Sequence, residues 1–121
     1  MAINLSHGGT TIYSSTSLSN QILVGTREGA ITVERGDNNA AWRISRRALT
    51  DKHISALMSE PVSGNLFAAA FQGGVHVSRD GGKTWQARNN GMSQNNVYSL
   101  AAKQINGRVR VFAGTEPAHL F

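Results

Sequence analysis

The side chains best placed for chemistry are basic. Arg43, Arg46 and Arg47 form the densest cluster, with Lys52 and His53 close behind. Guanidinium groups donate in pairs to carboxylate, sulfate or phosphate, so the cluster suits an anionic ligand. The competing reading is a solvated loop on a basic protein. Twelve basic against seven acidic side chains give a net charge of +5, which by itself would also attract nucleic acid. No recognition helix, zinc-finger spacing or aromatic stacking platform accompanies the charge, and no nucleic-acid partner is expected. The four histidines, at 7, 53, 76 and 119, lack metal-ligand spacing, and His76 alternates with Val75 and Val77 as a strand residue does. The chain has no cysteine, which removes disulfides and cysteine metal sites. Nor does it hold a Ser-His-Asp, phosphate-loop or dinucleotide signature. Neither a metal nor a cofactor is expected.

The elements that position these groups are read from one string, Ser78-Arg79-Asp80-Gly81-Gly82-Lys83-Thr84-Trp85. Val75 and Val77 alternate with polar residues ahead of it, a half-buried strand of period two. Asp-Gly-Gly then signals a tight turn, because glycine accepts positive φ without a Cβ clash. Asp80 is placed to accept backbone N–H groups of that turn, and Trp85 opens the returning strand as an apolar anchor.

The markers recur. Ile22-Leu23-Val24-Gly25-Thr26 returns as Leu66 to Ala70 and again as Val111 to Thr115, after shifts of 44 and 45 residues. Ile54 matches Val97, and Trp42 matches Trp85, each 43 residues apart. Ile12-Tyr13-Ser14 shares the phase of Val97-Tyr98-Ser99. A period of this length with no helical periodicity predicts four short strands per repeat. They fall near 11–17, 21–26, 30–35 and 41–45 in the first repeat, and near 53–59, 65–71, 74–78 and 84–88 in the second. The third holds 96–103, 109–114 and a strand beginning near 118. In the first repeat Glu34-Arg35-Gly36-Asp37-Asn38-Asn39 replaces the Asp80 turn, keeping turn formers but not the serine or the aligned aspartate.

The pattern Ser-x-Asp-x-Gly-x-Thr-Trp, carried by Ser78, Asp80, Gly82, Thr84 and Trp85, resembles the Asp-box, or BNR repeat, of β-propeller proteins. The repeat covers about residues 11–121 and only one box is intact. The resemblance is strongest to uncharacterised bacterial sialidase-like and glycosyl-hydrolase-like repeat proteins. It implies an all-β fold: one incomplete propeller over 1–121, with blades at about 11–45 and 53–88 and part of a third at about 96–121. A propeller closes with about four to eight blades. The chain is therefore expected to be a fragment of a longer propeller, or to build a ring from several copies. Its partners would be further blades of a longer chain or copies of itself. The amino terminus has no basic n-region and no long apolar run, so a cytoplasmic, membrane-free protein is expected.

In such a blade the third-to-fourth turn, which holds Asp80, lies opposite the links between blades. Ligand contacts are therefore expected on the link side, from Arg27, Arg46, Arg47, Lys52, His53, Phe71, Gln72, Asn95 and Asn96. If the relatives' hydrolase chemistry operated here, Glu28, Glu116 and Asp51 would be its weak catalytic candidates. Glycosidases require two carboxyl groups about 5–9.5 Å apart, and these three come from different repeats. The leading expectation is a non-catalytic scaffold or interaction surface, with a carbohydrate or anionic ligand conceivable. The alternatives are a fragment of a glycoside hydrolase and a lectin-like self-assembling binder.

Overall fold

The computed structural model describes residues 19–37 and 40–121, and every regular element within them is a β-strand. β1 (Gln21–Thr26), β2 (Gly29–Glu34) and β3 (Arg43–Ala48) form a first sheet. β4 (His53–Ser59), β5 (Leu66–Phe71), β6 (Gly74–Ser78) and β7 (Gln86–Ala87) form a second, and β8 (Val97–Ile105) and β9 (Arg108–Thr115) a third. Spatial order follows chain order and every pairing is antiparallel. The described residues are therefore all-β, built of two meanders and a hairpin, and no sheet among them closes on itself.

Several expected bounds move. The strand read over 11–17 lies outside the described residues. The strand read over 84–88 shrinks to Gln86–Ala87 because the preceding turn extends through Trp85. The strand read over 41–45 runs over Arg43–Ala48, so Arg46 and Arg47 sit within a strand and not in the link after it. A register shift between Thr32 and Val33 accompanies that displacement. Near 118 there is only a bridge between Gly114 and Leu120, flanked by two backbone hydrogen bonds between Ala113 and Phe121.

The middle sheet is packed on both faces. Ala68 and Ala70, with Ile54 and Leu57, meet Leu23 and Ala30 of the first sheet. Ala69, with Ala56 and Val75, meets Val97 and Ala113 of the third. The three consecutive alanines are fully buried, and their small side chains let both neighbouring sheets approach closely. At Gly25 the approach is closer still: a Cβ there would stand 2.8 Å from Ile54 Cγ2. The ladders also repeat in detail. β4–β5 skips Ser55 between Ile54 and Ala56, and β8–β9 skips Tyr98 between Val97 and Ser99. Both are β-bulges at the same phase of the repeat. The Ser55 hydroxyl donates to the Val97 carbonyl at 2.5 Å and so joins the second sheet to the third.

Candidate functional site

The strand directions give the molecule two ends. Residues 60–65 and 79–85 connect strands of the middle sheet at one, the turn end. Residues 49–52, 72–73 and 88–96 lie at the other, the link end.

At the turn end, Asp80 organises its own loop. Its Oδ1 accepts from the backbone N–H of Lys83 at 3.0 Å and of Thr84 at 2.9 Å, and from the Ser78 hydroxyl at 2.8 Å. The Thr84 hydroxyl donates to Oδ2. Those donors, the Thr84 hydroxyl foremost and then its N–H, hold the Asp80 carboxyl far below the usual carboxylate range. Gly82 N–H donates to Ser78 Oγ at 2.8 Å with φ of 87°, and Trp85 Nε1 donates to the Gly82 carbonyl at 3.2 Å. The indole packs, half-buried, against the core between the first two sheets. Glu60 builds a second turn of the same kind, its carboxylate accepting from Val62 N–H, Ser63 N–H and the Ser63 hydroxyl. Burial there raises its pKa, and the three donors outweigh burial and leave it lowered. Both carboxylates stay ionised and committed to backbone, which suits them to structure and not to proton transfer.

The link end assembles residues from far apart in sequence. His53 begins β4 and pairs across the ladder with Phe71, their ring centroids 5.7 Å apart. The Tyr98 ring meets Phe71 edge to face at 5.8 Å. Partial desolvation of the Tyr98 hydroxyl, then the nearby Glu116 carboxylate, raise its pKa, and Asn96 opposes them. Asn96 Oδ1 also accepts from Gln72 N–H at 3.3 Å, and Gln72 stands at φ of 56°, a conformation costly for a residue with a Cβ. Gly74 N–H donates to the Asn95 carbonyl at 2.9 Å, and Glu116 N–H to the Asn96 carbonyl at 3.0 Å. Tyr98 remains 42% exposed at the surface of this corner.

Of the residues expected on this side, the structure gathers His53, Phe71, Gln72, Asn96 and Glu116, with Asn95 holding the link by its backbone. Lys52 lies at the same end, its stem beside Gly73, whereas Arg46 and Arg47 part from each other. Arg46 reaches toward the turn end, where its guanidinium lies 3.5 Å from the Gly81 carbonyl. Arg47, its neighbour on β3, faces the opposite side of the sheet by strand alternation. The basic cluster is therefore not one site. Arg27 and Glu28 cap the β1–β2 hairpin, where Glu28 N–H donates to Thr26 Oγ1. Lys52 pairs with the adjacent Asp51, the only ion pair among the described residues, and this hydrogen bond foremost lowers the Asp51 pKa. Tyr98 escaped the sequence reading because it occupies a bulge, where period-two alternation fails. The match of Tyr98 to Tyr13 and Ser55 by repeat phase was the signal available.

Among the described residues no three of His, Asp and Glu stand close enough to hold a metal ion, and no helix is long and apolar enough to cross a membrane. A cavity of about 330 Å³ lies between β1 and β4, lined by aliphatic side chains and Ser55 and by none of the corner's rings. No family model, curated protein or solved structure matches this chain.

Proposed function

We propose that this chain is a non-catalytic stretch of Asp-box β-propeller, its three sheets serving as successive blades, and that its link end is an interaction surface. The propeller part is supported by the 43-to-45-residue period, the face-to-face stacking of sheets in chain order, and bulges at the same repeat phase. The observation that carries the surface is the corner of His53, Phe71 and Tyr98 with Asn96 and Glu116 beside it. An exposed ring set against polar side chains offers a partner both apolar area and directed hydrogen bonds. The glycosidase alternative draws less support. Cleavage of a glycosidic bond calls for a carboxyl kept protonated at working pH, and Lys52 pulls Asp51 the other way.

The test uses ¹⁵N-labelled protein titrated with cellotetraose, a neutral probe, and with N-acetylneuraminic acid, an anionic one. One of them shifts the amides of His53, Phe71, Gln72 and Tyr98, and Tyr98→Ala removes the response. Aryl sialosides and aryl β-glucosides stay intact. Silence with both probes, or shifts confined to 60–65 and 79–85, would sink the surface. Turnover abolished by Asp51→Asn would sink the non-catalytic reading.

A further inference from the structure

The two outer sheets each expose an apolar face. Strand alternation turns Leu23, Gly25 and Ala30 of the first sheet toward the second. The opposite face then carries a row of Ile22, Val33 and Ile44 and a row of Val24, Ile31 and Arg47, as the ladder registers dictate. Val24 is 36% and Ile44 49% exposed. On the third sheet, Val97, Leu100 and Ala113 face inward. Ala101 paired with Phe112, and Gly114 bridged to Leu120, face outward. Leu120 is 73% exposed.

These two faces are the repeat equivalents of faces already in contact inside the chain. Phe112 and Gly114 take the places of Phe67 and Ala69, and Leu120 that of Val75, all on the side of the second sheet that receives the third. Val24 and Ile22 take the places of Ala68 and Leu66, on the side that meets the first. An outer third-sheet face and an outer first-sheet face thus form the same kind of pair as the two interfaces within the molecule. We infer that copies of this chain associate head to tail, the third sheet of one copy packing its outer face on the outer face of the next copy's first sheet. The contact continues the existing stack, so apolar side chains exposed in one copy become core. Its charges do not oppose it in register. Arg47 lies toward the link end, whereas Lys103 and Arg110 of the outer third-sheet face lie toward the β8–β9 hairpin. The contact is heterologous, with different surfaces on the two partners, and its repetition closes a ring if the rotation permits. It rests on the packing of the sheets and is independent of any ligand at the link end.

Native mass spectrometry and light scattering on the full chain test it. A discrete oligomer is expected, growing at the expense of monomer from about 1 to 200 µM, the range that a micromolar contact spans. Val24→Lys and Leu120→Lys, both at exposed positions and checked for unchanged far-UV circular dichroism, each leave a monomer. Mixing these two variants restores a one-to-one heterodimer and nothing larger, because one sound face remains on each. Three outcomes overturn the inference: a wild-type chain that stays monomeric; a polydisperse aggregate; or a homodimer of either single variant.

Discussion

The turn end and the link end use similar polar residues in opposite ways. At the turn end Ser78, Asp80, Thr84, Glu60 and Ser63 bond within five residues of themselves, and each carboxylate draws its donors from its own loop. At the link end Asn89 Oδ1 accepts from Val75 N–H, Asn96 Oδ1 accepts from Gln72 N–H, and the Asn96 carbonyl accepts from Glu116 N–H. Each of those contacts ties separate elements, and together they leave rings and polar groups at the surface. A self-contained turn can be rigid with no partner surface of its own. A surface assembled from several elements is where recognition can be built on a rigid scaffold.

The largest effect expected from breaking the turn end comes from Trp85→Ala. The indole is half-buried against the core, so the loss should be about 2–3 kcal/mol, below the roughly 3–5 kcal/mol of a fully buried aromatic. Chemical denaturation measures it, and a midpoint equal to the parent would mean that the turn does not anchor the sheet. Asp80→Asn should lower the melting temperature by less. The amide keeps one acceptor oxygen but has no charge to meet the Lys83 and Thr84 donors, while the indole contact survives. If Asp80→Asn proved the more damaging of the two, the turn and not the packing would dominate this end.

The same difference in range explains what could be read in the sequence. The turn at Asp80 was legible because its donors, acceptor and glycines lie within eight residues. The strands at 21–26, 53–59 and 74–78 were legible because they recur at one phase of the repeat and lie beside breakers, Gly29, Pro61 and the Gly73 and Gly81 turns. The Tyr98 corner was not, since it depends on a bulge and on Phe71 and Glu116 from neighbouring strands. Arg46 and Arg47 looked like one cluster because sequence adjacency hides the alternation of a strand. Trp42 and Trp85 show the limit most directly. They share a repeat phase, yet Trp42 is 41% exposed beneath the Arg35 guanidinium, 5.1 Å from its ring centroid. Only Trp85 follows a Gly82 whose carbonyl accepts its indole N–H. The turn geometry, not the residue type, decides which indole reaches the core.

Acid separates the two ends with the smallest effect expected here. His76 sits on β6 opposite Ala68 and Ala87, nearly buried, with no partner for Nδ1. Burial foremost, then the positive charge of Lys52 at the link end, lower its pKa, and Asp51 opposes them only in part. The unfolded chain therefore takes up this proton at a higher pH than the folded one. Stability from neutral His76 is complete above its ordinary value near 6.5 and is lost as pH falls below it. Asp80 has the same sign in a lower window. Its folded pKa lies below the unfolded value of about 3.9, so its contribution persists through pH 5 and disappears only in stronger acid. Melting temperature should thus fall modestly between pH 7.5 and 5.5, and His76→Gln should flatten that slope while Asp80→Asn leaves it in place. A slope that survives in His76→Gln and vanishes in Asp80→Asn would reverse the assignment. It would place the first acid-sensitive interaction at the turn end, where the carboxylates are most strongly held.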